Sequence, residues 1–177
     1  MLARAVGAEA VVKHESQTPT GAFTVRGRLV YLDRLVRERP QVAGVVSATR
    51  GNHGQSIGVV SAAADATARL FEAGYAVNTD SAATFVDGVA TRSPDPAAIA
   101  IICAGASRIV RVSEDATAAA MRTLLDTTHQ LPEPAGAIAL AGLAEDAPGG
   151  RSAIVMSGGN CDTPMLAEIL AGRTPKP

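Results

Sequence analysis

The chain has 177 residues, 47% of them hydrophobic and 19% charged, with a formal net charge of -1. This describes one globular domain that can bury about 70% of its unfolded surface, with no electrostatic footprint for nucleic acid or an acidic membrane surface. Aromatic residues make up 3% and Trp is absent, so base-stacking platforms are not expected and the core must come from Ala, Val, Leu and Ile.

Residues 10–13 are short and β-branched and read as a strand end, and SQTPTGA then supplies turn residues. Over 23–39 the pattern is helical. Leu29, Leu32, Leu35 and Val36 share one face, Arg28, Arg34, Arg37 and Arg39 decorate the rest, and Pro40 closes the helix. The run VAGVVS at 42–47 suits a buried parallel strand, and ATRG leads from it into a helix starting near Asn52 or His53. Residues 59–74, VVSAAADATARLFEAG, are helical by composition but carry no clear apolar face. They read as a join between two segments.

The alternation then resumes. Residues 95–103 read as helix and 108–112 as a short strand. Ser113, with acidic residues in the next turn, opens a helix to about His129. Residues 133–143 form an Ala-rich helix. A buried strand at 151–156 is stopped by Ser157-Gly158-Gly159, and a last helix at 163–171 is stopped by Gly172. The tail RTPKP is expected to fray. No internal repeat is visible. The order of elements predicts an α/β class with an incomplete parallel sheet flanked by helices.

Cys103 and Cys161 have neither metal-ligand spacing nor disulfide-framework density, and no metal site is expected; both read as buried free thiols. MLARAVGAEA lacks the apolar core of a signal peptide, and no apolar run reaches about 18 residues, so the expectation is a cytoplasmic protein with no membrane partner.

Three motifs carry chemistry. KHESQTPTGAFTVRG, at 13–27, is similar to the cofactor-attachment segment of the fold-type-II pyridoxal-phosphate (PLP) enzymes, most closely the threonine/serine dehydratases. That pattern is Lys, any, Glu, a short gap, Pro-Thr-Gly-Ser/Ala-Phe, then Lys, any, Arg-Gly. Every position matches except one: Thr24, after Phe23, stands where the Schiff-base lysine belongs. SATRGNHGQ, at 47–55, resembles the family's Ser-x-x-x-Gly-Asn-His-x-Gln loop. A loop entering a helix N-terminus offers free N–H groups and a positive dipole end, an anion site. The resemblance assigns the amino-acid carboxylate to Ser47, Gly51, Asn52 and His53, and the cofactor's phenolic oxygen to Asn52. SGGNCD, at 157–162, resembles the family's strand-end Ser-Gly-Gly-Asn segment, where Ser157 would face the pyridine nitrogen. Glu133, in EPAGA, matches a position near that edge of the pocket. It also reads as a helix N-terminal carboxylate favoured by the dipole. DGVATRSPDP, at 87–96, looks like the linker into the family's C-terminal part.

The resemblance covers 11–61 and 67–174, so the chain reads as a single truncated domain, 1–177, joined across an internal deletion. Between the blocks the family has on the order of a hundred residues, about one domain's worth. They include the Gly-rich loop that binds the PLP phosphate. The implied ancestral reaction is PLP-dependent deamination of a hydroxy amino acid to a 2-oxo acid and ammonia, in which the ring is an electron sink and the lysine moves protons. With Thr24 in the lysine's place and the phosphate loop missing, impaired catalysis and no covalent PLP attachment are expected. The alternative is a non-catalytic remnant or partner-binding pseudoenzyme. Strands stripped of neighbours predict self-association through exposed sheet.

Overall fold

The structure, a computed structural model, describes residues 1–7, 9–18, 21–22, 56–75, 77–94, 100, 102–103, 106–146 and 151–177. The expected helix at 23–39, the strand at 42–47 and the loop at 47–55 lie outside the described residues, as do most of 95–103. Of these last, 100, 102 and 103 are helical.

In chain order the elements are α1 (Leu2–Val6), β1 (Glu9–His14), β2 (Ser56–Ser61), α2 (Ala66–Ala73), β3 (Ala106–Val112), α3 (Glu114–Thr128), α4 (Pro134–Asp146), β4 (Arg151–Met156) and α5 (Thr163–Leu170). Short 3₁₀ turns lie at Ala62–Ala64 and Asp87–Val89. The described strands form two parallel pairs, β1 with β4 and β2 with β3. Glu9 faces Arg151 and His14 faces Met156 in the first pair; Ile57 faces Arg108 and Ser61 faces Val112 in the second. The α/β class with parallel strands flanked by helices is the one expected.

Helix α4 unites the two pairs. Residues from Pro134 to Ile138, and again from Leu140 to Leu143, are buried, as befits a helix apolar all round. It packs on β4, β3 and β2, and Gly142 lets its backbone approach β2 so closely that an added Cβ would lie 2.6 Å from Val59 Cγ2. The core also holds Val112, Met121, Leu124, Ile154, Met156 and Ile169. Ala10 and Val12 pack against it from one face of the β1–β4 pair. On the opposite face Val11 is 53% exposed and Val155 47%.

Local signals explain most boundaries. Ser113 Oγ accepts the Ala116 N–H at 3.1 Å, and Glu114 and Asp115 occupy the first turn of α3, which favours a helix N-terminus. His129 ends α3 in the left-handed region at φ 56°, its N–H bonded to Leu125 O. Three expectations fail. Residues 59–74 are not a faceless helix: they are the end of β2, a 3₁₀ turn, and α2 with Ala66, Ala68 and Leu70 buried. SIGVVS pairs with β3, and the Ala-rich run that follows it hides where the strand stops. The tail does not fray, because Thr174 Oγ1 hydrogen-bonds Asp115 and Pro175 is buried. Cys103 is exposed, and Cys161, in the loop after β4, packs against the edge of the core and is only partly buried.

Candidate functional site

The C-terminal ends of β1 and β4 lie side by side, and the strand-end loop 157–160 leaves from β4. Open α/β sheets place ligands at such ends. Ser157 is half-buried, and its Oγ donates to Ala135 O over 3.3 Å, a long bond that a better acceptor could displace. Glu133 stands just before α4. Its carbonyl accepts from Gly136 N and Ala137 N, so it caps the helix. Its N–H donates to Gly158 O at 3.0 Å, and its Oε2 accepts the Asn160 N–H at 3.1 Å. Burial pushes the Glu133 carboxyl above its usual range; the Asn160 N–H pulls it back in part, and the Asp87 charge raises it further. Burial, with Asp162 and Glu133 nearby, likewise raises the Cys161 thiol.

The glycines of this loop are required by what lies against them. A Cβ on Gly158 would collide with the Glu133 carboxylate, and one on Gly159 would lie 2.8 Å from Leu131 O. The Gly158-Gly159 notch is therefore filled from within. On its other side Gly159 N donates to Gly21 O at 2.9 Å, and Ala22 bridges Gly158. Thr18 holds this approach, its Oγ1 donating to Ala22 O and accepting from Ala22 N. Ala22 is the last described residue before Phe23 and Thr24.

Of the residues singled out in the sequence, Ser157 and Glu133 meet at this strand end. Phe23, Thr24, Ser47, Gly51, Asn52 and His53 lie outside the described residues. Sequence reasoning missed two features. One is the part of Gly158 in admitting the Glu133 side chain. The other is Glu114, whose carboxylate accepts from Ser61 Oγ, from Thr84 Oγ1 at 2.8 Å and from Phe85 N at 3.1 Å. It ties β2, α3 and the segment entering the Asp87–Val89 turn. An acid placed for a helix N-terminus was its only sequence signal.

The family model described as pyridoxal-phosphate dependent enzyme matches residues 1–71 and 55–158. The chain belongs to the pyridoxal-phosphate-dependent enzyme family. An L-threonine ammonia-lyase from Geobacter sulfurreducens is 32% identical over 134 residues, which are 73% of this chain and 33% of that protein. A phenylserine dehydratase from Ralstonia pickettii is 33% identical over 66% of this chain and 37% of its own. Among solved structures, a threonine deaminase from T.th. superposes with a TM-score of 0.57 at 37% identity, over 60% of this chain and 35% of its own. A PLP-dependent aspartate racemase gives 0.73 over 93% of this chain and 88% of its own, at 14% identity, a likeness of fold alone. The chain spans about a third of the length of the curated threonine ammonia-lyase and dehydratase relatives it matches.

Membership implies PLP as the cofactor. Among the described residues, one group is compatible with an edge of it: the Ser157 hydroxyl at a strand end, in a long bond to Ala135 O, could serve a ring nitrogen. The residues present do not fit covalent attachment. Lys13 and Lys176 are the only lysines in the sequence. The Lys13 ammonium pairs with Glu15 at 3.0 Å and its side chain is 69% exposed, on the sheet face opposite the core, while Lys176 is in the tail. Nor does the glycine pair at 158–159 offer an open anion cradle, because its notch is occupied.

Proposed function

We propose that this chain is a threonine/serine dehydratase-like protein, descended from enzymes that deaminate a hydroxy amino acid to a 2-oxo acid and ammonia, and that it no longer turns over. Its substrate class by ancestry is a small hydroxy amino acid, and its cofactor would be held without a covalent bond. The observation that carries this reading is the pairing of a retained strand-end loop, Ser157 to Asn160, with the absence of lysine at position 24. A threonine hydroxyl can neither attach PLP as the lysine does nor serve as a base near neutral pH. Two family matches that overlap at 55–71 support the reading that two parts of a longer sequence are joined. When bound, PLP supplies an electron sink; the chain's own residues would place a hydroxyl at its ring nitrogen.

The test is a 2-oxobutanoate assay on three proteins: the chain as it is, Thr24→Lys, and Thr24→Lys with a family-derived middle section inserted at the join between Ser61 and Thr67. Only the third should turn over. Activity in the first overturns the reading of Thr24, and substantial activity in the second overturns the claim that a phosphate site is missing.

A second reading, a partner-binding pseudoenzyme that self-associates, is favoured by Val11 and Val155 standing exposed on one sheet face. No described helix is long and apolar enough to cross a membrane. A cytoplasmic location fits the modest net charge and the two unpaired thiols.

A further inference from the structure

We propose that Glu133 is the positioning residue of the strand-end pocket. It holds the loop Ser157 to Asn160 against the start of α4 and so fixes where the Ser157 hydroxyl stands. Only the ligand arm of this proposal rests on the PLP reading above; the loop arm stands on geometry alone.

Three bonds join the loop to the segment 133–135. Glu133 N donates to Gly158 O, Asn160 N donates to Glu133 Oε2, and Ser157 Oγ donates to Ala135 O. Two of the three use Glu133, one through its backbone and one through its side chain. The carboxylate also fills the notch left by the missing Gly158 side chain. The same loop receives the chain approaching position 24, through Gly159 N to Gly21 O and the Ala22–Gly158 bridge. A shift of the loop would therefore move the strand-end hydroxyl and the approach to residue 24 together. An anchor on both sides is the kind of support that holds a ligand-facing group within a few tenths of an ångström.

The electrostatics add a direction. Glu133 is raised chiefly by burial, and among the described residues the charged groups facing it are Asp87 from the 3₁₀ turn and, when ionised, Cys161 just after the loop. No cation is among these causes. A neutral carboxyl still offers its carbonyl oxygen to Asn160 and no longer resists burial. Loop opening would solvate the group and return it toward its ordinary pKa, so protonation favours the closed loop. Glu133→Gln imitates the neutral form and should keep the loop closed at every pH.

The experiment measures amide exchange at Gly159 and Asn160 in the full chain, corrected for intrinsic rates, from pH 5 to about 8. Wild type should gain protection as pH falls. Glu133→Gln should be protected and flat with pH. Glu133→Ala should exchange about tenfold faster at Asn160, the equivalent of one lost charge-assisted bond. Gly158→Ala should open the loop in wild type but cost much less in the Glu133→Ala background, where the notch is vacant. PLP affinity, read from the cofactor's absorbance, should fall about tenfold in Glu133→Ala and return in Glu133→Gln. Unchanged Asn160 exchange in Glu133→Ala, or an equal effect of Gly158→Ala in both backgrounds, overturns the proposal. So does an altered loop with unaltered PLP affinity. If wild type binds no PLP, the cofactor reading falls, and exchange with the Gly158 cycle still decides the role of Glu133. Should Glu133→Ala fail to fold, Glu133→Asp, whose shorter side chain withdraws the carboxylate from Asn160 N, takes its place, and unchanged Asn160 exchange there overturns the proposal.

Discussion

Replacing Glu114 by alanine should cost more stability than any other single change at a partly buried polar position described above. Its carboxylate accepts from Ser61 Oγ, Thr84 Oγ1 and Phe85 N, and these residues are 0%, 7% and 3% exposed. Alanine strands all three donors where water has poor access. At about 1 kcal/mol or more for each unsatisfied buried donor, the loss is about 3 kcal/mol. A change of that size in a chain of this length lowers Tm by about 6–12 °C. The effect should spread, because Thr84 Oγ1 also receives Val86 N and the segment continues into the turn where Gly88 lies against Ala135. Glu114→Gln keeps one acceptor oxygen and should lose only about 1 kcal/mol. Urea titrations followed by circular dichroism measure both. A shift for Glu114→Ala below about 0.5 kcal/mol would mean that Ser61, Thr84 and Phe85 find other partners or water, and that the clamp is incidental.

Arg111 binds Asp65 at 3.0 Å and Glu72 at 2.6 Å, joining β3 to the start and end of α2. Arg111→Met should lower stability in dilute buffer, with a smaller loss in about 0.5 M salt, because such pairs are screened. An equal loss at both salt concentrations would point to packing of the side-chain stem instead. Desolvation of Asp65 raises its pKa, but its bonds and charges with Arg69 and Arg111 outweigh that and hold it below the usual carboxylate range; Glu72 is lowered chiefly by its Arg111 bond. Lowered carboxylates give stability above their ordinary values and lose it as pH falls through their folded ones, so unfolding in acid should set in below about pH 4.5 and shift upward in Arg111→Met. Glu133 acts in the opposite sense: its raised pKa makes stability rise as pH falls toward its ordinary value of 4.5, and Glu133→Gln should remove that slope. Val11→Ser with Val155→Ser should reduce self-association in sedimentation velocity, and unchanged sedimentation would refute a sheet-face interface.

What the sequence determined by itself was whatever is written locally. Ser113 with two acids marked the start of α3, SAIVM ending in Ser-Gly-Gly marked β4 and its stop, and the 13–27 motif marked the missing lysine. These signals depend on side-chain chemistry within a few residues, so no fold is needed to read them. β2 was lost because SIGVVS runs on into an Ala-rich stretch, where small side chains blur periods of 2 and 3.6 alike; its pairing with β3, about fifty residues on, defines it. The tail was lost for the same reason, since its anchor is Asp115 in the first turn of α3, 59 residues earlier in the chain. Only tertiary structure decided that Glu133 would turn its carboxylate into the Gly158 notch rather than toward its own helix, and that Glu114 would gather donors from β2 and the 84–85 segment. A carboxylate's partners are set by which backbone and hydroxyl groups are buried beside it, and that follows from packing between elements far apart in the chain.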